Sequence, residues 1–81
     1  MNNLIFKSQD FYISCILRAS KIPLKEIVRN RGNFVLFIFD APQEKCEQII
    51  KKHWDGDLHL STRTLIETIN ELKSRIHEKM Q

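Results

Sequence analysis

The chain has 81 residues and a net charge of +3, with 42% hydrophobic side chains, two glycines and two prolines. This length predicts one small domain, for which self-association is a common source of additional stability. The composition excludes a disordered or fibrous chain, and no apolar run reaches the roughly 18 residues of a membrane span.

The first twenty residues predict a short strand and a mostly buried helix. Residues 4–6 are apolar, which is typical of a brief strand. The hydroxyl of Ser8 is the predicted N-cap of a helix over about residues 9–20, and Asp10 lies in its first turn, where the helix dipole favours an anion. Polar side chains recur every fourth residue, at Asp10, Ser14 and Arg18. Nearly all other positions are apolar, so we expect most of this helix to be buried.

A β-hairpin is predicted after Pro23, which interrupts the helical pattern. Residues 24–30 form its first strand and residues 34–39 its second, joined by a turn at Arg31, Gly32 and Asn33. The second strand has six consecutive apolar side chains, whereas a strand with one wet face alternates apolar and polar residues. We therefore expect both of its faces to be covered, either by helices on both sides, which we favour, or by a second copy of the chain.

Two more helices are predicted in the second half of the chain. Asp40 as a capping side chain, followed by Pro42, marks the start of the first, and Gly56 is available for a left-handed cap at its end. Its apolar face is predicted to consist of Cys46, Ile49, Ile50, His53 and Trp54. Trp54 suits either a core position or an exposed anchor. After an extended link at residues 58–60, Ser61 is the predicted cap of the last helix.

The last helix carries an apolar stripe at spacings of four, three and four residues, formed by Leu65, Ile69, Leu72 and Ile76. Ile66 and Met80 widen the stripe. Packing within the chain explains such a stripe, and so does contact with a helix of a partner protein. Two heptads are short for a coiled coil, so packing on the chain's own sheet is the favoured explanation of the stripe. Because the first helix and the second hairpin strand are also rich in apolar side chains, a small core need not consume all of this surface, and the stripe is the predicted site of a protein–protein interaction.

The predicted order is β-α-β-β-α-α, an α+β fold with a small antiparallel sheet and three helices in a single domain, residues 1–81. Because an isolated hairpin is marginally stable in water, we expect residues 4–6 or a partner to supply a third strand. We favour the internal strand, with a homodimer in addition.

The order of four short segments resembles a family of small bacterial and phage-associated proteins of unknown function. The segments are "FKSQDFYISCILRAS", "NFVLFIFD", "HWDGDL" and "LIETINELKS", and the resemblance covers about residues 6–76. It implies an α+β fold and a prokaryotic or viral source, and it brings no catalytic residue. The family usually has a glycine after the first helix, where this chain has Ser20 and Lys21.

The positive charge is concentrated in one short segment. Five bases and one acid, Glu26, lie between residues 18 and 31, whereas the rest of the chain has eight bases and nine acids. The bases are Arg18, Lys21, Lys25, Arg29 and Arg31. Lys25 and Arg29 are in phase on a strand, so we expect them on the same face of a basic hairpin that could follow phosphates. Weak, largely sequence-independent nucleic-acid binding is the alternative function, although lysine on an edge strand also prevents sheet extension.

The remaining sequence features do not favour an enzyme or a metalloprotein. Cys15 and Cys46 are expected to be reduced, packed thiols, with a disulfide between them as the less favoured alternative. The spacing of Cys46, His53, His59 and His77 does not fit the close ligand pairs of zinc sites. We predict a non-enzymatic accessory module with no cofactor, metal, small-molecule ligand or membrane partner. A cytoplasmic location is expected because the N-terminus lacks signal-peptide features.

Overall fold

The computed structural model describes residues 4–29 and 34–79, except for the side chain of Lys79. The elements are β1 (Phe6–Ser8), α1 (Phe11–Ala19), β2 (Leu24–Arg29), β3 (Val35–Phe39), α2 (Gln43–Asp55) and α3 (Thr62–Lys79). The strands form an antiparallel sheet in the order β1-β3-β2. This confirms the predicted α+β order and a third strand supplied by the chain itself. The predicted turn at Arg31, Gly32 and Asn33, and Met80, lie outside the described residues.

The central strand β3 separates two different environments. Phe37 and Phe39 are almost completely buried, and Val35 packs against the same core. Across the sheet, Phe37 is opposite Ile27 on β2 and Ser8 on β1. Because side chains alternate between the two faces of a strand, the odd-numbered residues of β3 line the core.

All three helices contribute to the core on this one side of the sheet. The buried cluster includes Cys15 and Leu17 of α1, Cys46 of α2 and Leu72 of α3, together with Phe37. The smallest extent of the molecule is only 18 Å, which fits two layers rather than three. The prediction of helices on both faces of the sheet is therefore wrong. The six-residue apolar run does not distinguish a face covered by helices from a face left open.

A break in the register of β2 changes which residues share a face. Leu24 pairs with Phe39 and Glu26 pairs with Ile38, so one residue, Lys25, is extra. This is the arrangement of a β-bulge, which disturbs regular alternation. Lys25 and Arg29 were predicted to share a face by alternation. The bulge removes the regular alternation on which that prediction rests, and Arg29 is opposite Val35 in the row that packs on the helices.

Helix α1 is attached to β1 by a small cluster of hydrogen bonds. The carboxylate of Asp10 caps the helix by accepting a hydrogen bond from the N–H of Ile13 at 2.9 Å. The N-cap is therefore two residues after the predicted cap, Ser8, which is the last residue of β1. Ser14, predicted on a polar stripe, is fully buried. Its hydroxyl lies 2.7 Å from the Asp10 carbonyl oxygen and 2.9 Å from the Ser8 hydroxyl. Burial of Ser14 costs little because its hydroxyl keeps these partners.

The ends of α2 and the start of α3 follow the sequence signals in part. Pro42, rather than Asp40, occupies the N-cap position of α2; proline has no side-chain acceptor, and Asp40 instead donates its N–H to the Pro23 carbonyl at 2.8 Å. Gly56 ends the helix with φ +78°, as predicted. Ser61 caps α3 as predicted, since its hydroxyl accepts the N–H of Thr64 at 3.3 Å.

The ends of α1 and α2 have the same backbone geometry, with glycine at the turn in only one of them. At the end of α2, the backbone N–H groups of Gly56 and Asp57 donate to the carbonyl oxygens of His53 and Lys52, respectively. At the end of α1, the N–H groups of Lys21 and Ile22 donate in the same way to the carbonyl oxygens of Arg18 and Leu17. Both are Schellman motifs, in which the residue after the helix is left-handed. Lys21 accordingly has φ +71°. The turn directs Ile22, which is 1% exposed, back into the core.

We expect Lys21→Gly to stabilise the fold by about 0.5–1 kcal/mol. Glycine removes the steric cost of the left-handed conformation, roughly 1–2 kcal/mol, and part of the gain is offset by its larger entropy loss on folding. Urea unfolding followed by circular dichroism measures the difference. The matched control is Lys45→Gly at an exposed site of α2, which should cost about 1 kcal/mol. Destabilisation by Lys21→Gly would contradict the strain at this turn.

Candidate interaction surface

The even-numbered side chains of β3 form an apolar surface on the side of the sheet away from the helices. Leu36 and Ile38 are half-buried, and Leu36 is opposite Val28 of β2. Phe34, directly before β3, is 63% exposed and follows the same alternation. These four residues, Val28, Phe34, Leu36 and Ile38, are called the outer sheet face below. None of the four belongs to the core cluster formed by the described residues.

Two opposite charges flank this surface. Lys7 of β1 and Glu26 of β2 are each directly opposite Ile38, one on either side of it. Paired residues of neighbouring strands lie on the same face, so an exposed base, an apolar centre and an exposed acid form one row across the sheet. Among residues 4–29 and 34–79, the ion pairs lie within α2 and α3 and leave Lys7 and Glu26 out.

The edge strand β2 is poorly suited to extending the sheet into another molecule. This strand carries the exposed side chains of Lys25 and Arg29, and the bulge at Lys25 interrupts its regular ladder of hydrogen bonds. Charged side chains and bulges are common means of preventing edge-to-edge pairing. The apolar surface that the sheet offers to a partner is therefore its outer face, and not this edge.

The apolar stripe of α3 is used inside the chain. Leu72 is completely buried, while Leu65, Ile69 and Ile76 are half-buried and pack against the core cluster. Helix α3 packs mainly on α1. These four residues were predicted to contact a partner protein, but their apolar side chains face α1 and the core. The surplus of apolar surface expected from the sequence is instead found on the sheet.

Trp54 and Ile66 are exposed apolar side chains on the helical side of the molecule. Trp54, near the end of α2, is 71% exposed, which decides between its two predicted roles in favour of an exposed position. Its ring centroid is 4.7 Å from that of His53. Ile66 on α3 is 58% exposed. Singly exposed apolar residues are normal on protein surfaces, whereas the four residues of the outer sheet face are neighbours on two paired strands.

The predicted basic cluster is divided between several elements. Arg18 is half-buried on α1, Lys21 lies in the left-handed turn, and Lys25 and Arg29 are exposed on β2. Arg31 lies outside the described residues. The bulge at Lys25 interrupts the alternation from which a single-faced ribbon was predicted, and the four described bases are spread over α1, the turn after it and β2. Nucleic-acid binding through them stays a prediction.

Both cysteines are buried free thiols. Burial raises the pKa of Cys15 to about 11, outweighing nearby Lys73, which lowers it. Burial also raises the pKa of Cys46, although a position early in a helix would lower it. Among the described residues, no three side chains of histidine, cysteine, aspartate or glutamate lie close enough together to hold a metal ion.

A shallow, open depression lies beside the first strand, with a volume of about 300 Å³. It is lined by Ile5, Phe6, Lys7 and Gln43. One amine and one amide are its polar side-chain groups. Ligand sites usually combine an enclosed apolar cavity with several convergent polar groups, and this depression has neither property.

No family model, no curated protein and no solved structure matches this chain. The resemblance to small bacterial and phage-associated proteins therefore stays a prediction. Within the described part of the chain, none of the helices combines the length and apolar character needed to cross a membrane.

We expect the stability of the fold to fall as the pH rises from about 9 towards 11, in part because of Cys15. The folded pKa of about 11 lies above the ordinary value of 9.0, so this contribution is fully present below pH 9 and is lost as the thiol ionises. Urea unfolding of the wild type and of Cys15→Ala at pH 8 and pH 10.5 isolates it. The variant should lose less stability between the two pH values, and an equal loss would contradict the assignment.

Charge reversal tests the predicted nucleic-acid function. If Lys25 and Arg29 hold phosphates, binding to a generic duplex will weaken steeply with salt and the double variant Lys25→Glu/Arg29→Glu will abolish it. Fluorescence anisotropy with a labelled duplex measures both effects. Lys45→Glu/Lys52→Glu on α2 makes the same change in net charge and should leave most of the binding. Undetectable binding of the wild type at low salt would contradict the hypothesis.

Proposed function

We propose that this chain is a non-enzymatic accessory module that acts through protein–protein contact, and that it forms a homodimer through its outer sheet face. The observation that carries the proposal is the position of Leu36 and Ile38. They are apolar, they lie in the central strand, and they belong to the face without helices. Both are half-buried, and Phe34 beside them is largely exposed. Accessible apolar residues that are neighbours on one surface are typical of interaction sites.

The small size of the domain supports self-association in particular. Two layers bury a limited apolar area, and small domains commonly gain stability by association. Packing two outer faces together would add a second covered side to β3 and give Phe34 and Leu36 further apolar contacts. The six-residue apolar run would then have its structural explanation in the dimer.

The surface is small, which sets the expected strength of the dimer. Three strands about 4.8 Å apart and five residues about 3.4 Å apart span only roughly 10 by 14 Å. Interfaces at the low end of the size range are weak and transient. We therefore expect dissociation constants in the micromolar range, and association should be measured up to about 500 μM, where such a dimer is populated.

We expect Leu36→Lys to abolish self-association without unfolding the domain. The variant places two like charges in the centre of the proposed interface, while the side chain in the monomer points away from the core. Sedimentation equilibrium measures the association and circular dichroism checks the fold. Ile66→Lys, at an exposed apolar site on α3, is the matched control and should associate like the wild type.

A second variant, Phe34→Ser, distinguishes a loss of self-association from a loss of folding. Phe34 is largely exposed in the monomer, so its loss should weaken association and leave the melting temperature of dilute protein within a few degrees of the wild type. A wild-type protein that remains monomeric at 500 μM would overturn the proposal, as would a dimer that neither variant weakens.

A further inference from the structure

We infer that the outer sheet face is complementary to itself through Lys7 and Glu26, and that the two copies are related by a two-fold axis running along β3. The inference rests on the proposed homodimer and specifies its geometry. The occupant of the face is a second copy of this chain. The observation behind it is the row of a base, Ile38 and an acid across the sheet.

A symmetric dimer uses the same surface on both subunits, so each residue meets either its own copy or a fixed partner. When two sheets pack face to face about an axis parallel to their strands, left and right exchange across the interface. β1 of one copy then lies over β2 of the other, and Ile38 lies near the axis. Lys7 of each copy meets Glu26 of the other, which gives two opposite-charge contacts around an apolar centre.

The other simple face-to-face arrangement has its axis perpendicular to the strands. It places β1 over β1 and β2 over β2, so Lys7 meets Lys7 and Glu26 meets Glu26. Like charges placed against each other disfavour an interface. The charges on β1 and β2 therefore select the first arrangement. Lys25 lies in the bulge beside Glu26 and outside the paired rows, which leaves Glu26 as the charge directly opposite Ile38.

Their exposed positions allow these two charges to determine the orientation of the second copy. Both side chains are exposed and neither takes part in an ion pair among the described residues, so a pairing between copies would break no pair within the chain. Charges at the rim of an interface determine orientation more than they increase affinity. The apolar residues accordingly supply the attraction, while Lys7 and Glu26 decide the orientation.

Charge exchange between the two positions tests the geometry. Lys7→Glu and Glu26→Lys should each weaken self-association at least about tenfold, because both contacts become repulsive. The double variant Lys7→Glu/Glu26→Lys should recover the wild-type dissociation constant to within about threefold. An equimolar mixture of the two single variants should form a heterodimer, which native mass spectrometry detects. Lys45→Glu on α2 controls for net charge and should have no effect.

The outcomes separate the geometry from the proposed function. A monomeric wild type overturns both. A wild-type dimer that Leu36→Lys disrupts, but that the single charge variants do not weaken or the double variant does not restore, overturns only the pairing of Lys7 with Glu26. If Lys7→Glu associates more tightly with the wild type than either does with itself, Lys7 faces Lys7 and the axis runs across the strands. Raising the salt concentration should strengthen the single variants relative to the wild type, because repulsion is screened.

Discussion

The alternation of side chains along β3 is the constraint on which the rest of the structure depends. Phe37 and Phe39 must be removed from water, and all three helices contribute side chains to the core that covers them. Because the strand alternates, covering these residues places Leu36 and Ile38 on the opposite side. The core and the outer sheet face are thus formed by alternate residues of the same five-residue strand. A change in the register of β3 would alter both surfaces together.

Much of the fold could be predicted from short-range signals. The element order, the internal third strand and the left-handed Gly56 follow from periodicity and turn chemistry. The cap of α1 was misplaced because Ser8 and Asp10 are both good caps, and the sheet decides between them by using Ser8 opposite Phe37. The spacing of apolar residues in β2 is consistent with the bulge. Leu24 and Ile27 both face the core although they are three residues apart, whereas regular alternation places residues three apart on opposite faces.

The candidate surface was harder to predict, for a physical reason. Lys7 and Glu26 are nineteen positions apart in the chain and lie in one row across the sheet only because both of their strands pair with β3. A stripe on α3 is visible in the sequence, but whether it meets α1 or another protein depends on tertiary packing. Six consecutive apolar residues likewise indicate two apolar faces without indicating what covers each of them. Local patterns therefore identify the apolar surfaces and leave their partners open.

Helix α1 has a central position in this thin molecule, since it contacts α2, α3 and β1. Its buried Ser14 is bonded through its hydroxyl to the end of β1 and to the start of its own helix. The Schellman motif at its other end returns the chain to the core at Ile22. Both ends of one short helix are thus anchored by directional hydrogen bonds, which compensates in part for the small apolar core of an 81-residue chain.

The extra residue in β2 has an evolutionary consequence. Losing a residue from a strand normally turns every following side chain to the wrong side. Here a deletion of Lys25 would join Leu24 to Glu26 in regular alternation and leave both facing as they do now, opposite Phe39 and Ile38. The domain would keep its core, but β2 would become an uninterrupted edge open to strand addition from other molecules. The pairing of β2 with β3 thus has no need of the extra residue, whereas a bulged and charged edge strand is one of the common means by which proteins oppose edge-to-edge pairing.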